Sequence, residues 1–334
     1  MMYLMILGGL VLLYLGGEAL VRGAVSIARR LGMSELLIGL TLVGFGTSMP
    51  ELVTSLRAIN MDAVGVAVGN VAGSNIANIL LVLGIAALIR PIITHPGALA
   101  RDMTVLILTT AAFAYLVYFD RFTSMTGMIL VGCLIAYLIL SVVLDTGSEG
   151  EAATMHIDEG GIVEQTDALP LALLIAFGGI VGVVFGARLL VDGSVDLARS
   201  VGVSEAVIGL SIVAIGTSLP ELATSIVAAF RGKSDVAVGN VVGSSIFNIL
   251  GVLGVTAIVK PFSVGGAAEV RGMLGEVTSL LTWTDMGALF LSLFMLILFG
   301  LTGKKLARWE GGVMLLAYFT YLGMLYGIVP TPFA

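Results

Sequence analysis

The sequence has 334 residues, of which 58% are hydrophobic and only 11% are charged, and its formal net charge is −6. Soluble domains carry about 25% charged residues, so this composition excludes an ordinary soluble protein and indicates an all-α integral membrane protein. The acidic net charge and the scattered basic residues argue against a nucleic-acid partner, and the single cysteine excludes a disulfide framework.

Apolar segments long enough to cross a hydrocarbon core of about 30 Å recur along the whole chain. In chain order we predict ten transmembrane helices, at residues 2–26, 34–58, 66–89, 102–119, 125–144, 169–192, 204–230, 236–259, 283–300 and 310–329. The stretch between the fifth and sixth is acidic and contains no Lys or Arg, which predicts a flexible linker, with a weak regulatory cation site as the alternative. The predicted organisation is a first five-helix repeat at 1–144, a linker at 145–168 and a second five-helix repeat at 169–334.

The first predicted helix carries Glu18 and Arg22, and the sixth carries Arg188 and Asp192 with the charges reversed. Each pair has the spacing of neighbours on one helix face, which predicts a salt bridge within the helix near the membrane surface.

The second predicted helix contains the polar motif "GTSMPEL" at residues 46–52. A carboxylate at mid-membrane costs at least about 2.5–3.5 kcal/mol, and Glu51 has no Lys or Arg within one helical turn. We therefore predict a ligand for a cation rather than half of an ion pair. Thr47 and Ser48 share its helix face, and Pro50 has no N–H for the Gly46 carbonyl. Such oxygens suit Ca²⁺, Na⁺ or Mg²⁺ rather than copper or zinc.

The third predicted helix contains "GSNIAN" at residues 73–78. Ser74 and Asn78 are four residues apart and share a face, so we predict that both bind cations, with polar contacts between helices as the alternative. Asn75 lies off that face and is not included. Gly69 and Gly73, with Gly239 and Gly243 in the second half of the chain, form small-residue patches that allow close helix contact.

The second half of the chain repeats these motifs at an offset of 170 residues. "GLTLVGFGTSMPELVTSLRA" (39–58) aligns with "GLSIVAIGTSLPELATSIVA" (209–228), and "VAVGNVAGSNIANILLVLG" (66–84) aligns with "VAVGNVVGSSIFNILGVLG" (236–254). The repeat adds a second set of predicted ligands, namely Thr217, Ser218, Glu221, Ser244 and Asn248. Because five is an odd number of helices, the second repeat has to enter the membrane from the opposite side. Two inverted five-helix repeats are typical of secondary transporters.

The basic residues predict the orientation of the chain. Most Lys and Arg residues fall in the connections after the first, third, seventh and ninth predicted helices. By the positive-inside rule both termini face outside and the acidic linker is cytoplasmic. We expect the protein in the plasma (inner) membrane.

At these motifs the sequence resembles the sodium/calcium exchanger family of the cation/Ca²⁺ exchanger superfamily. "GTSMPE" and "GTSLPE", each followed by G-S-x-x-x-N, carry the resemblance, which covers nearly the whole chain. It implies that the second, third, seventh and eighth helices enclose the ions, while the first and sixth slide across them. It also implies that the two glutamates and threonine carbonyls bind Ca²⁺ and that serine and amide side chains complete Na⁺ sites. Asn248 stands where some relatives carry aspartate, which lowers the expectation of potassium co-transport.

The leading interpretation is a secondary antiporter that exchanges Ca²⁺ for Na⁺ by alternating access and moves net charge. A Ca²⁺/H⁺ antiporter of the same fold is the alternative, because two carboxylates that share a site also attract protons. A cation channel is a further alternative, whereas an enzyme is not expected because no catalytic set is present. Ca²⁺ and Na⁺ are the expected substrates, with no cofactor, in a monomer surrounded by lipid.

Overall fold

The structure is a computed structural model that describes residues 1–93, 96–146, 167–201, 214–264, 283–302, 305–325 and 328–330. Most of the predicted linker and the first part of the predicted seventh helix lie outside these residues. The described part of the chain is mostly helical.

The helices in chain order are α1 (Met2–Leu31), α2 (Glu35–Thr47), α3 (Met49–Asn60), α4 (Val64–Ile89), α5 (Pro96–Tyr118), α6 (Ser124–Thr146), α7 (Leu169–Ser200), α8 (Ala214–Gly216), α9 (Leu219–Phe230), α10 (Ser234–Val259), α11 (Trp283–Thr302) and α12 (Arg308–Leu325). Two short strands, β1 (Ile92–Ile93) and β2 (Lys305–Leu306), pair antiparallel. Among the described residues, three helices contain π-helical turns, at Gly39–Val43 in α2, Ala77–Leu83 in α4 and Asn248–Leu253 in α10.

Within the described residues, six helices are long and apolar enough to cross a membrane: α1, α4, α5, α6, α7 and α10. The pair α2 and α3 adds a seventh if it is one span bent by 41°. Helix α9 and the Thr284–Gly300 part of α11 are apolar but shorter. A multi-pass membrane protein is therefore confirmed, whereas the number of ten and the inverted repeat stay predictions.

The helices form two compact units, and each unit takes segments from both halves of the sequence. Unit 1 comprises Met1–Thr47 and Ile135–Gly243, and unit 2 comprises Ser48–Leu134 and Ser244–Ala334. The predicted division at residues 1–144, 145–168 and 169–334 concerns duplication rather than packing, and it stays a prediction.

Unit 1 has its core between α1 and α7, where small residues let the two backbones approach closely. A Cβ placed on Gly16 would lie 2.6 Å from the Val183 nitrogen, and one on Gly9 would lie 2.8 Å from the Gly186 carbonyl oxygen. Only glycine fits at such contacts. Large apolar side chains on the outer face of α7, including Phe177 and Phe185, are exposed, as expected for a lipid-facing surface.

Unit 1 also confirms part of the predicted small-residue patch. Side chains at Gly239 and Gly243 of α10 would collide with the α2 backbone at Leu36 and Leu40. Apart from the backbone of its own helix, no described residue lies within 4 Å of a Cβ placed on Gly69 or Gly73.

Charged side chains connect the ends of helices within unit 1. Glu18 pairs with Arg231 rather than with Arg22, and Arg22 pairs with Asp167 at 3.0 Å. The predicted salt bridge within α1 is therefore replaced by two long-range pairs, because each side chain finds an opposite charge on another segment. Lys233 donates to Glu35 at 2.9 Å, and the Ser34 amide donates to Asp145 at 2.7 Å.

Unit 2 packs α3, α4 and the Asn248–Val259 part of α10 against one another, with α11 and α12 against α4. Its helix ends are connected in the same manner. Lys260 donates to Asp62 at 2.7 Å, and the Val264 amide donates to Asp120 at 2.6 Å.

Candidate cation site

The break between α2 and α3 places Glu51 at the beginning of a helix. Pro50 lies at the start of α3, where a helix does not need the backbone N–H that proline lacks. In the preceding turn, however, one carbonyl is left without its N–H donor. Ser48 sits at the break with φ −84° and ψ 7°. Glu51 is fully buried in the first turn of α3. The partial positive charge at a helix N-terminus stabilises a carboxylate there, which partly offsets the cost of burying it.

The same break recurs between α8 and α9. Ser218 has φ −86° and ψ 4°, within a few degrees of Ser48, and Pro220 again opens the next helix. Glu221 is fully buried in the first turn of α9. Both predicted carboxylate ligands are thus buried at helix N-termini that follow an interrupted helix, and interrupted helices form the ion sites of many secondary transporters.

An asparagine from the next helix fixes the backbone beside Glu51. The Asn70 side chain in α4 donates through Nδ2 to the Glu51 carbonyl oxygen at 3.2 Å and to Ser55 Oγ at 3.0 Å. Ser55 Oγ in turn donates to the Ala67 carbonyl at 3.3 Å. These bonds attach the first turn of α3 to α4 and so limit the movement of the Glu51 backbone.

Asn240 makes the same contacts beside Glu221. Its Nδ2 donates to the Glu221 carbonyl oxygen at 3.2 Å and to Ser225 Oγ at 3.0 Å. Its Oδ1 accepts a hydrogen bond of 3.1 Å from the Thr47 hydroxyl, which also lies 3.1 Å from the Val43 carbonyl. The hydroxyl donates its hydrogen to these protein acceptors, so Thr47 can still offer a cation both the hydroxyl oxygen and its backbone carbonyl.

The sequence interpretation missed these asparagines and the serines that they contact. Asn70 and Asn240 are the N of "VAVGN" in both repeats, and Ser55 and Ser225 also match at the offset of 170. A polar residue kept at the same place in both apolar repeats was the signal that could have found them.

The predicted serine and amide ligands are buried as well. Ser48, Ser74, Ser218 and Ser244 are at most 4% exposed, and Thr217 is half-buried. Asn78 and Asn248 are fully buried and lie in the π-helical turns of α4 and α10. Such turns widen a helix locally and are frequent at functional sites.

Each unit gathers part of the predicted set. Unit 2 contains Ser48, Glu51, Ser74, Asn78, Ser244 and Asn248, and unit 1 contains Thr47, Thr217, Ser218 and Glu221. In unit 2 the helices α3 and α4 pack against each other and against the π-helical turn of α10. In unit 1 helix α9 packs against the last turn of α2, which carries Thr47.

The chemistry of these residues suits a hard cation. No three His, Cys, Asp or Glu side chains form a metal-binding group among the residues that the structure describes. The candidate ligands are one carboxylate per motif together with hydroxyl, amide and carbonyl oxygens, the oxygen ligand type that Ca²⁺ and Na⁺ accept.

Comparison with known proteins gives consistent matches over the whole chain. The sodium/calcium exchanger protein family matches residues 1–143 and 171–327. The putative antiporter CaxA of Alkalimonas amylolytica is 36% identical over 96% of this chain and 97% of its own length. The sodium/calcium exchanger MaX1 of Methanosarcina acetivorans is 33% identical over 98% and 99%. The inner membrane protein YrbG of Escherichia coli is 32% identical over 96% of each.

Solved structures of the sodium–calcium exchanger NCX_Mj have a similar fold. The one obtained in 10 mM Na⁺ and 10 mM Sr²⁺ superposes with a TM-score of 0.76 and 34% sequence identity, over 94% of this chain and 95% of that one. A structure obtained without Na⁺ and Ca²⁺ gives a TM-score of 0.75 over similar shares.

Proposed function

The chain belongs to the sodium/calcium exchanger family, and on that premise we propose that it exchanges Ca²⁺ for Na⁺ across the plasma membrane. As a member it is a membrane transporter rather than an enzyme, and the family's ions are substrates. The observation that carries the proposal is the repeated environment of two buried carboxylates. Glu51 and Glu221 each occupy a helix N-terminus, and each is fixed at its backbone by an asparagine.

We assign the two carboxylates to Ca²⁺ because together they balance its charge once its water is removed. The backbone carbonyls of the neighbouring threonines complete this ligand set, and the buried hydroxyl and amide oxygens provide for Na⁺. The proposed ligands are Thr47, Ser48, Glu51, Ser74, Asn78, Thr217, Ser218, Glu221, Ser244 and Asn248. Asn248 in place of a third carboxylate keeps the Ca²⁺-loaded ligand set neutral.

We further propose ten membrane-spanning helices in two inverted repeats. Contacts between helix ends support this topology, because each contact joins two segments that the topology places on the same side of the membrane. Lys233 follows the seventh predicted span and Glu35 lies at the beginning of the second, on the side where the first span ends. Lys260 and Asp62 follow the eighth and second spans. Strands β1 and β2 follow the third and ninth. The same topology puts both termini outside.

The contacts between α1 and α7 also support the inversion. Gly9 corresponds to Gly179 in the repeat, and Gly16 corresponds to Gly186. Gly9 contacts Gly186 while Gly16 contacts Gly179, so exchanging the two helices reproduces the same pair of contacts. A two-fold relation between the repeats gives such reciprocal pairs. Glycines at the contact also suit two helices that slide during alternating access.

The proposed exchange moves net charge. We take as a premise the exchange of three Na⁺ per Ca²⁺ that is usual in the family. With Glu51 and Glu221 as the ionised ligands, a core with Ca²⁺ is then neutral, and a core with three Na⁺ carries one surplus charge. A membrane potential of about 100 mV then biases each cycle by roughly 2.3 kcal/mol.

Uptake of ⁴⁵Ca²⁺ into proteoliposomes tests the proposal. We expect one chain per functional unit. Proteoliposomes that contain the purified protein are loaded with Na⁺ and diluted into Na⁺-free buffer at constant pH. An outward Na⁺ gradient should drive saturable uptake, and an inward-negative potential should change its rate. Uptake driven by an imposed proton gradient alone would instead identify a Ca²⁺/H⁺ antiporter. Uptake that needs no counter-ion and does not saturate would identify a channel.

A further inference from the structure

A hydrogen-bonded chain of buried amides in unit 2 connects the two halves of the sequence at Asn75, Ser245 and Asn248. Asn75 is 1% exposed, and its Nδ2 donates to the backbone carbonyl oxygen of Ser245 at 3.0 Å. Its Oδ1 accepts from Nδ2 of Asn248 at 3.1 Å. Asn75 lies off the helix face of the proposed ligands, so the cation-binding proposal does not use it.

The backbone carbonyl determines the orientation of both side chains. An amide side chain can usually be turned to exchange its oxygen and nitrogen, and only its partners decide between the two positions. A carbonyl oxygen can only accept a hydrogen bond, so Asn75 has to turn its Nδ2 toward Ser245. Its Oδ1 then faces Asn248, which has to answer with its own Nδ2.

Asn248 therefore has its oxygen turned away from Asn75. This oxygen is fully buried and has no hydrogen-bond partner among the residues that the structure describes. Buried polar atoms normally have a partner, and an exception calls for an explanation such as an ion.

The equivalent amide of the first repeat has no such support. The residue that corresponds to Asn248 is Asn78, and the residue that corresponds to Asn75 is Ser245. Neither Oδ1 nor Nδ2 of Asn78 has a hydrogen-bond partner among the described residues. The two amides are thus alike in sequence and burial, but of the two only Asn248 is held in one orientation by residues that the structure describes.

We propose that Asn75 is a positioning residue that turns the Asn248 side chain so that its oxygen, and never its NH₂ group, faces a bound cation. This inference rests on the proposed function, since it takes Asn248 as a cation ligand. A neutral oxygen contributes a larger share to binding of Na⁺, which it holds with other neutral oxygens, than to binding of Ca²⁺, which two carboxylates hold. Asn75 therefore acts on Na⁺ affinity in particular.

The experiment measures cation binding to the purified full-length protein in detergent, through the rise in unfolding temperature with added Na⁺ or Ca²⁺. We expect Asn75→Ala to weaken Na⁺ binding by about tenfold, the lower end of the range for residues that orient metal ligands. Ca²⁺ binding should change by less than about twofold in this variant, given that charge dominates it. Asn75→Ser, with the residue that the second repeat carries, serves if the alanine variant does not fold. Ser245→Ala is the matched control, because it keeps the backbone carbonyl that Asn75 uses.

A second background separates positioning from ordinary support of the fold. Both side-chain atoms of an aspartate at 248 are oxygens, so its orientation no longer matters. In the Asn248→Asp protein, Asn75→Ala should leave Na⁺ binding unchanged or strengthen it, because Asn75 Oδ1 would then face a carboxylate oxygen. An equal loss of Na⁺ binding in both backgrounds, or an equal loss for Na⁺ and Ca²⁺, would overturn the inference. Absence of any stabilisation of the wild type by either cation would instead count against the proposed function.

Discussion

Glu51 in unit 2 and Glu221 in unit 1 have nearly identical surroundings, with amide-to-carbonyl distances of 3.2 Å and amide-to-serine distances of 3.0 Å in each. Asn78 and Asn248, the equivalent amides of the two repeats, have different surroundings. Asn248 is hydrogen-bonded to Asn75, whereas Asn78 is hydrogen-bonded to no described residue. The contacts beside the two glutamates are the same in both repeats, but the contacts of the Asn78 and Asn248 side chains are not. The two carboxylates and these two amides therefore need not have equal roles. We therefore expect Ca²⁺ binding to depend on two carboxylates in equivalent surroundings. Cation binding by Asn78 and Asn248 does not need equivalent surroundings.

The largest expected effect tests the symmetry of the carboxylates. Glu51→Gln and Glu221→Gln should each abolish ⁴⁵Ca²⁺ uptake, because each removes half of the negative charge that balances Ca²⁺. Glu310→Gln is the control, since Glu310 is a buried carboxylate that accepts from the Ala307 amide and lies outside the motifs. Uptake above about a tenth of the wild-type rate in either motif variant would disprove paired carboxylate ligands.

The asparagines that fix the glutamate backbones should come next. Asn70→Ala and Asn240→Ala each remove a bond to a glutamate carbonyl and a bond to a serine hydroxyl at the same distances, so we expect losses of about tenfold in apparent Ca²⁺ affinity. Asn240→Ala also removes the acceptor of the Thr47 hydroxyl, so its loss should be at least as large. The concentration dependence of initial uptake measures this. Ser292→Ala, which removes a buried hydroxyl bonded within α11, controls for the general cost of a buried polar deletion. A large loss in only one asparagine variant would show that the two units are not equivalent.

Protons provide a milder way to perturb both carboxylates together. Protonation neutralises a glutamate, so Ca²⁺ binding should weaken as the pH falls, and uptake should drop severalfold between about pH 8 and pH 5.5. Raising the Ca²⁺ concentration should restore the rate, because the two ions compete. Uptake that stays constant over this range would contradict direct competition at Glu51 and Glu221.

The smallest effect on uptake, and the most specific one, concerns charge at the amides. Asn248→Asp adds a negative charge that cancels the surplus charge of the Na⁺-loaded core and leaves the Ca²⁺-loaded core negative. The voltage-sensitive step should then move from the Na⁺ limb to the Ca²⁺ limb of the cycle without a change in stoichiometry. Currents on solid-supported membranes after Na⁺ or Ca²⁺ jumps measure this, with Asn78→Asp as the comparison. An unchanged division of charge between the limbs would remove Asn248 from the ion ligands.

The sequence by itself determined the membrane class, the duplication and the positions of the two glutamates. These follow from properties that a short stretch of chain carries alone: hydropathy, identity at a fixed offset, and the high cost of a charge in a span without a basic partner. The helix breaks at Pro50 and Pro220 are also local, because a proline removes one N–H wherever it lies. Family membership followed from the same motifs.

Only the tertiary structure decided which residues support those glutamates. Asn70 and Asn240 bond to residues 19 and 15 positions away on another helix, and no periodicity within one helix predicts such a pairing. The i,i+4 rule likewise misassigned Glu18 to Arg22, since the rule counts neighbours on one helix and not the opposite charge at Arg231. Asn75 was set aside because it lies off the face of Ser74 and Asn78. Its role depends on the Ser245 carbonyl, 170 residues away, which reaches it only when α4 and α10 pack together.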